Sequence, residues 1–179
     1  MENDQLNGAT PSYWNSVLIA GIITAIVYSA LGILSSYMML KSSSASQALG
    51  IFVCLISSMA GVIANRHYAK EFDISYSLGK GALIGFLAAI VAVIVGTVIS
   101  LIWTTVIDPG LNDAVYQAQI SAMEAQGMSQ EQIDMALSFS PEPGSTTAVL
   151  MGVGIGILGL GIVNVISGII SAKIFASEE

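Results

Sequence analysis

Four long apolar runs separated by short polar stretches set the pattern of the chain. They cover about residues 14–40, 48–65, 81–107 and 148–172, and no Asp, Glu, Lys or Arg lies inside the first, second, third or fourth run before its closing turn. A hydrocarbon core of ~30 Å takes ~20 helical residues, so the first, third and fourth runs are long enough to cross one, and the second is near the lower limit. None of the runs alternates with a period of two, and each far exceeds the 9–11 residues of a barrel strand. The pattern predicts an all-α integral membrane protein with four transmembrane helices in one domain, residues 1–179.

The stretches between the runs differ in kind. MENDQLNGAT reads as a short mobile tail, after which Tyr13 and Trp14 suit a membrane–water interface. Lys41 with SSSAS predicts a tight connector, and RHYAKEFDISYSLGK (residues 66–80) a longer one. Residues 108–147 are the largest interruption. Pro109 ends the third helix, Leu111 to Gln126 fits an amphipathic helix, and Gly127 fits its C′ position. Ser129 followed by Gln132 has capping-box spacing, so a second short helix should run to about Phe139, before Pro141 and Pro143. The insertion is therefore read as an extracytoplasmic helical hairpin between the third and fourth transmembrane helices.

Composition agrees with the pattern: 54 % of residues are hydrophobic and 9 % charged, against about 25 % charged in soluble domains. Six of the 12 acids lie in the insertion (Asp108, Asp113, Glu124, Glu131, Asp134 and Glu142), with no Lys or Arg among them. With the N-terminus cytoplasmic, the inner connectors and tail hold Arg66, Lys70, Lys80 and Lys173, and the outer ones only Lys41. The excess of bases on the cytoplasmic side predicts N-in, C-in topology with residues 108–147 periplasmic. The net charge of −7 opposes binding to nucleic acid, whose phosphates attract bases. Cys54 is the only cysteine, which precludes a disulfide within the chain.

Within lipid, helices approach closely where small residues line a seam. Ala88, Ala92 and Gly96 recur every fourth position on the third run, followed by Ser100. On the fourth, Gly152 and Gly156 form GxxxG, and Gly154, Gly161 and Gly168 are spaced by heptads; Ser57 and Gly61 are the small pair of the second. These glycine seams predict contact with a helix of the same chain, a second copy or another membrane protein. Intramembrane polar residues are fewer: Thr24, Tyr28 and Ser35 fall near one side of the first run, and Asn164, Ser167 and Ser171 along the fourth. Such groups either hydrogen-bond a neighbouring helix or line a polar path, and the first use is the commoner. With no charged residue expected at membrane depth, a proton-coupled pump is disfavoured.

Other motifs weigh less. Gly154-Ile-Gly156-Ile-Leu-Gly159 is a literal GxGxxG, but a dinucleotide site needs it between a strand and a helix, so helix packing is the better reading. Gly79-Lys80-Gly81 lacks Walker spacing. A lone His67 beside Arg66 and Lys70 suits headgroup anchoring more than metal or base chemistry, and the scattered acids of the insertion match no EF-hand loop. No cofactor or metal site is expected, and with no nucleophile–base pair the chain is not expected to be an enzyme.

A short first pair of spans, a basic loop closing in SYSLGKG, a third span ending in IDP and the helical MEAQGMSQEQID together resemble a family of small bacterial four-span membrane proteins, domain of unknown function 4199. The resemblance covers nearly the whole chain. It is most specific at Asp108–Pro109 and at Gly127-Met128-Ser129 with Glu131 and Gln132. It implies a bacterial inner-membrane protein with an outer helical insertion, and brings no catalytic residues. Two functional readings remain. The first is a non-enzymatic interaction or assembly protein, docking through residues 111–139 or the glycine seams. The alternative is a small transporter or channel subunit with the polar residues of the first and fourth spans along its path.

Overall fold

The computed structural model describes residues 11–176, so the polar tail before Pro11 and the acidic end, Glu178–Glu179, lie outside the described residues. The order is α1 (Trp14–Met39), α2 (Ser43–Ser57), α3 (Met59–Phe72), α4 (Leu78–Ile102), a π-helical turn (Trp103–Ile107), α5 (Leu111–Ala125), α6 (Gln130–Ser138) and α7 (Thr146–Phe175). There is no strand among the described residues. Four helical stretches are long and apolar enough to cross a membrane: Trp14–Met39, Ser44–Phe72, Leu78–Ile107 and Thr146–Phe175. Leu18, Ile22 and Ile26 of α1, Ile94 and Val98 of α4, and Leu158 and Ile162 of α7 point outward. The inner seams carry small residues instead. That is the distribution expected when lipid, not water, is the solvent.

The second apolar stretch differs most from the sequence expectation. It is not a short helix followed by a basic connector over residues 66–80. The helix runs on to Phe72, where Asp73 adopts a left-handed conformation (φ 46°) and stops it. Arg66, His67, Lys70 and Glu71 are carried on the last two turns, while Ala60, Gly61, Ala64, Asn65, Tyr68 and Ala69 form the buried face. This small-residue stripe at helical spacing continues straight through the polar residues, so packing holds the segment helical where polarity suggested a loop. The remaining connector is residues 73–77.

α4 touches α1, α3 and α7, and α3 touches all three of its neighbours, whereas α2 packs chiefly on α1. One end of the bundle carries the first and last described residues, Pro11 and Ala176 (the termini end); the other carries α5 and α6 (the insert end). At the termini end Tyr68 is fully buried among Tyr13, Phe72 and Tyr76. Its hydroxyl donates to Pro11 O (2.8 Å) and accepts from Lys80 Nζ (2.7 Å), which lies 4.9 Å from the ring centroid. Tyr76 N–H donates to Ala176 O (3.2 Å), tying the connector to the end of α7.

Burial, with a smaller push from Tyr68, moves the Tyr76 phenol up to about 12 from 10.0. The folded state thus favours the neutral form, and the stability this supplies is present below pH 10.0 and lost as pH rises towards 12. Unfolding in mixed micelles should show a decline over that window that is shallower in Tyr76→Phe; identical slopes would contradict the assignment.

At the insert end, Asp108 N–H donates to Trp103 O (2.8 Å), a five-residue closure that widens the last turn of the third span. Asp108 Oδ2 accepts from Tyr37 Oη (2.7 Å), and Tyr37 Oη in turn accepts from Trp103 Nε1 (3.3 Å). The first and third spans are thereby pinned where the insertion begins. α5 ends in Gly127 at φ 80°. α6 opens with the Ser129/Gln132 capping box: Gln132 N–H donates to Ser129 Oγ (3.4 Å) and Ser129 N–H to Gln132 Oε1 (2.8 Å). Ser129→Ala should cost about 1 kcal/mol of local helix stability. Amide exchange over residues 130–138 should quicken while that of α4 stays unchanged; equal protection in both variants would refute this role.

Candidate functional site

The break in the second span has a specific chemical cause. In an uninterrupted helix the Gly61 N–H would donate to Ser57 O. Here the carboxamide of Asn164 on α7 stands between them. Gly61 N–H donates to Asn164 Oδ1 (2.7 Å), and Asn164 Nδ2 donates to Ser57 O (2.9 Å) and to Leu160 O of its own helix (2.9 Å). Asn164 is fully buried, and its amide acts as an inserted peptide unit that satisfies both orphaned backbone groups. A side chain wedged into the i→i−4 ladder is a recognised origin of helix kinks. Ser57 Oγ turns back to Val53 O and also satisfies the last turn of α2.

Asn65, one turn below Gly61, extends the knot. Its Nδ2 donates to Gly61 O (2.8 Å) and Gly81 O (3.1 Å), and its Oδ1 accepts from Tyr76 Oη (2.9 Å). Three helices approach closely enough for these bonds only because glycine occupies the contact points. A Cβ on Gly61 would lie 2.5 Å from Ser167 Oγ and 2.7 Å from Asn164 O. One on Gly85 would collide with Asn164 O, and one on Gly168 with Gly81 O. Towards the termini end, the bundle is therefore shut by backbone-to-backbone packing.

Towards the insert end it is not. A cavity of about 420 Å³ lies between α1, α4 and α7, floored by Tyr28, Ser29 and Gly96 and reaching Leu111, Asn112 and Gly144 at the start and end of the insertion. Its sides carry Gly32, Ile33 and Ser36 of α1, Thr97, Ser100 and Leu101 of α4, and Val149, Gly152 and Val153 of α7. No residue of α2 or α3 lines it. At 1.5 Å rise per residue, Tyr28 is about 21 Å along α1 from Trp14, and Ser58 is about 21 Å from Phe72. The cavity thus begins at the depth where the second span breaks; α2 packs on α1, tied near its start by Ser35 Oγ and Ser46 Oγ (3.0 Å).

The hydroxyls of the cavity are used unequally. Ser29 donates to Gly96 O (3.3 Å), Ser36 to Gly32 O (3.2 Å), Thr97 to Val93 O (2.8 Å) and Thr104 to Ser100 O (3.1 Å). Each leaves its oxygen free to accept. Tyr28 Oη, Ser100 Oγ and the Asn112 amide have no such protein partner among the described residues. One turn deeper than Tyr28, Thr24 Oγ1 is buried and also unpartnered among the described residues.

The profile described as "Protein of unknown function (DUF4199)" matches residues 18–177, nearly the whole chain. The chain belongs to the DUF4199 family. No curated protein and no solved structure matches it.

In this DUF4199 chain the residues singled out from the sequence fall into four groups. Ala88 and Ala92 are buried in the core, Gly96 faces Ser29 and Tyr28, Gly156 faces Val93, Gly161 faces Phe86, and Gly168 faces Gly81 and Asn65. Asn164 sits in the knot, and Ser167 donates to Asn164 O (3.3 Å) on its own helix. Tyr28 is at the cavity floor, and Gly152 lines its wall. Gly154 faces open space, and outside the adjoining turn of α7 itself no atom comes within 4 Å of a Cβ placed there or at Gly152. Asn164 and Ser167 are not among the residues lining the cavity with Tyr28. Sequence reasoning missed Gly21, Gly81 and Gly85 as contact glycines and Asn65 as a buried polar anchor. Gly81 and Gly85, with Ala88, Ala92 and Gly96, extend the small-residue stripe of α4 by two turns, a signal that was present. Asn65 gave none, because it opens the polar cluster NRHY.

Proposed function

We propose that the protein is a non-enzymatic solute-handling protein of the bacterial inner membrane, a small transporter or channel subunit whose entrance is the cavity between α1, α4 and α7. Its chain ends face the cytoplasm, and α5 and α6 form a periplasmic hairpin beside the entrance, the orientation favoured by Arg66, Lys70, Lys80 and Lys173 at one end. The observation that carries this reading is the pairing of a hydroxyl-rich cavity at one end with a closed, glycine-packed knot at the other. Transport requires a second arrangement in which the knot opens. The interruption at Ser58, bridged by the Asn164 amide, supplies a point at which the second span can bend.

Proteoliposome swelling with uncharged solutes tests this. The wild-type chain should admit at least one solute of cavity size, and Gly152→Leu, which adds bulk at a cavity wall where a Cβ meets open space, should abolish that flux without unfolding the protein. Wild-type vesicles no leakier than empty ones for every solute, or full flux through Gly152→Leu, would refute the reading.

The assembly reading retains one observation of its own. Met135 on α6 and Phe139 at its C-cap stand outward, at 60 % and 79 % exposure, away from buried Ile133. Their occupant would be a second copy of the chain, and the particle mass in nanodiscs with and without residues 111–139 decides it. A monomer in both would refute it.

A further inference from the structure

We infer that the cavity between α1, α4 and α7 is a binding site for a compact, uncharged molecule rich in hydroxyl or amide donors and carrying one apolar face. The inference rests on the solute-handling reading and names the chemistry of what is handled. Charge is disfavoured first. Among the described residues no carboxylate, ammonium, guanidinium or imidazole lines the cavity, so an ion bound there would surrender its hydration without a counter-ion. Donors are favoured second. The oxygens of Ser29, Ser36, Thr97 and Thr104 have their protons committed to helix carbonyls. What they offer a ligand is lone pairs, and a ligand supplies the matching O–H or N–H. Tyr28, Ser100 and Asn112 can both give and accept, and they stand at the floor, the middle and the mouth of the same cavity. The third constraint is the wall of Ile33, Leu101 and Val153, which gives the ligand a side to dehydrate. The volume of about 420 Å³ lies in the range of small-molecule sites, ~300–1,000 Å³.

A hexose lacking one hydroxyl meets these requirements, and its charged relatives of equal size do not. Isothermal titration of the full chain in nanodiscs with L-fucose, galacturonate and glucosamine is the direct experiment. Saturable binding of L-fucose at least about tenfold tighter than of either charged sugar is expected. Ser100→Val should weaken L-fucose about fivefold to tenfold, Ser100→Thr should restore most of the affinity, and Gly154→Ala should leave it unchanged. Equal or tighter binding of a charged sugar, no saturable binding of L-fucose, or an unchanged affinity in Ser100→Val would each overturn the assignment. Binding without vesicle flux would overturn the transport reading and leave this site standing. Flux of a charged solute with no L-fucose binding would do the reverse.

Discussion

Asn164→Leu should lower the unfolding free energy in mixed micelles by about 1–3 kcal/mol, while Ser167→Ala, three residues away, should stay within about 0.5 kcal/mol. The difference follows from what each side chain does. Ser167 donates to a carbonyl of its own helix that is already within a regular turn. Asn164 bridges two backbone groups of another helix, the Gly61 N–H and the Ser57 carbonyl. A single interhelical hydrogen bond in lipid averages only ~0.6 kcal/mol. Loss of the bridge, however, also strands a buried N–H and a buried C=O, and each unpaired group adds its own desolvation cost. The leucine, slightly larger and apolar, cannot replace either partner. A loss no greater than that of Ser167→Ala would show that the helix break stands without the amide.

Gly85→Ala should be at least as damaging, at about 1–3 kcal/mol, and Gly154→Ala should be neutral or slightly stabilising. Both changes add one methyl group to a glycine in the middle of an apolar helix, and both gain helix propensity, worth up to ~1 kcal/mol. The contact decides the sign. A Cβ at residue 85 collides with Asn164 O, a backbone atom that can move only if α4 and α7 separate. At residue 154 it meets nothing within 4 Å. Equal stability of the two variants would mean that close approach of α4 and α7 contributes little to the fold.

The sequence made the architecture readable because its strongest signals are local. Pro109 stops the third span, Gly127 closes α5, and Ser129 with Gln132 starts α6, each through a backbone requirement that only a few residue types meet. Long apolar runs likewise mark spans with little ambiguity. The second span extends beyond its apolar run because polarity and helicity part company there. Arg66, His67 and Lys70 read as a loop in one dimension, yet they decorate one face of a helix whose other face, Ala60, Ala64 and Tyr68, is buried.

The candidate site was harder, for a different reason. Asn164 stood out as the lone amide of an apolar run, but its partners lie 103 and 107 residues away and are backbone atoms, which leave no mark in the sequence. The cavity is similar. Tyr28 was identifiable as an intramembrane polar group, whereas Ser100 and Asn112 became its neighbours only through the packing of α1 against α4 and the turn at Asp108.

Water access along the bundle tests the division into an open and a closed half most directly. Single cysteines at Ser36, Ser100, Ala20 and Ser171, introduced with Cys54→Ser, can be exposed in oriented membranes to a membrane-impermeant maleimide, with Ser129→Cys marking the side of the insertion. Labelling of the cysteines at 36 and 100 from the same side as that at 129, with those at 20 and 171 protected, is the predicted result. Uniform protection of 36 and 100, or labelling of 20 and 171 at a comparable rate, would contradict it.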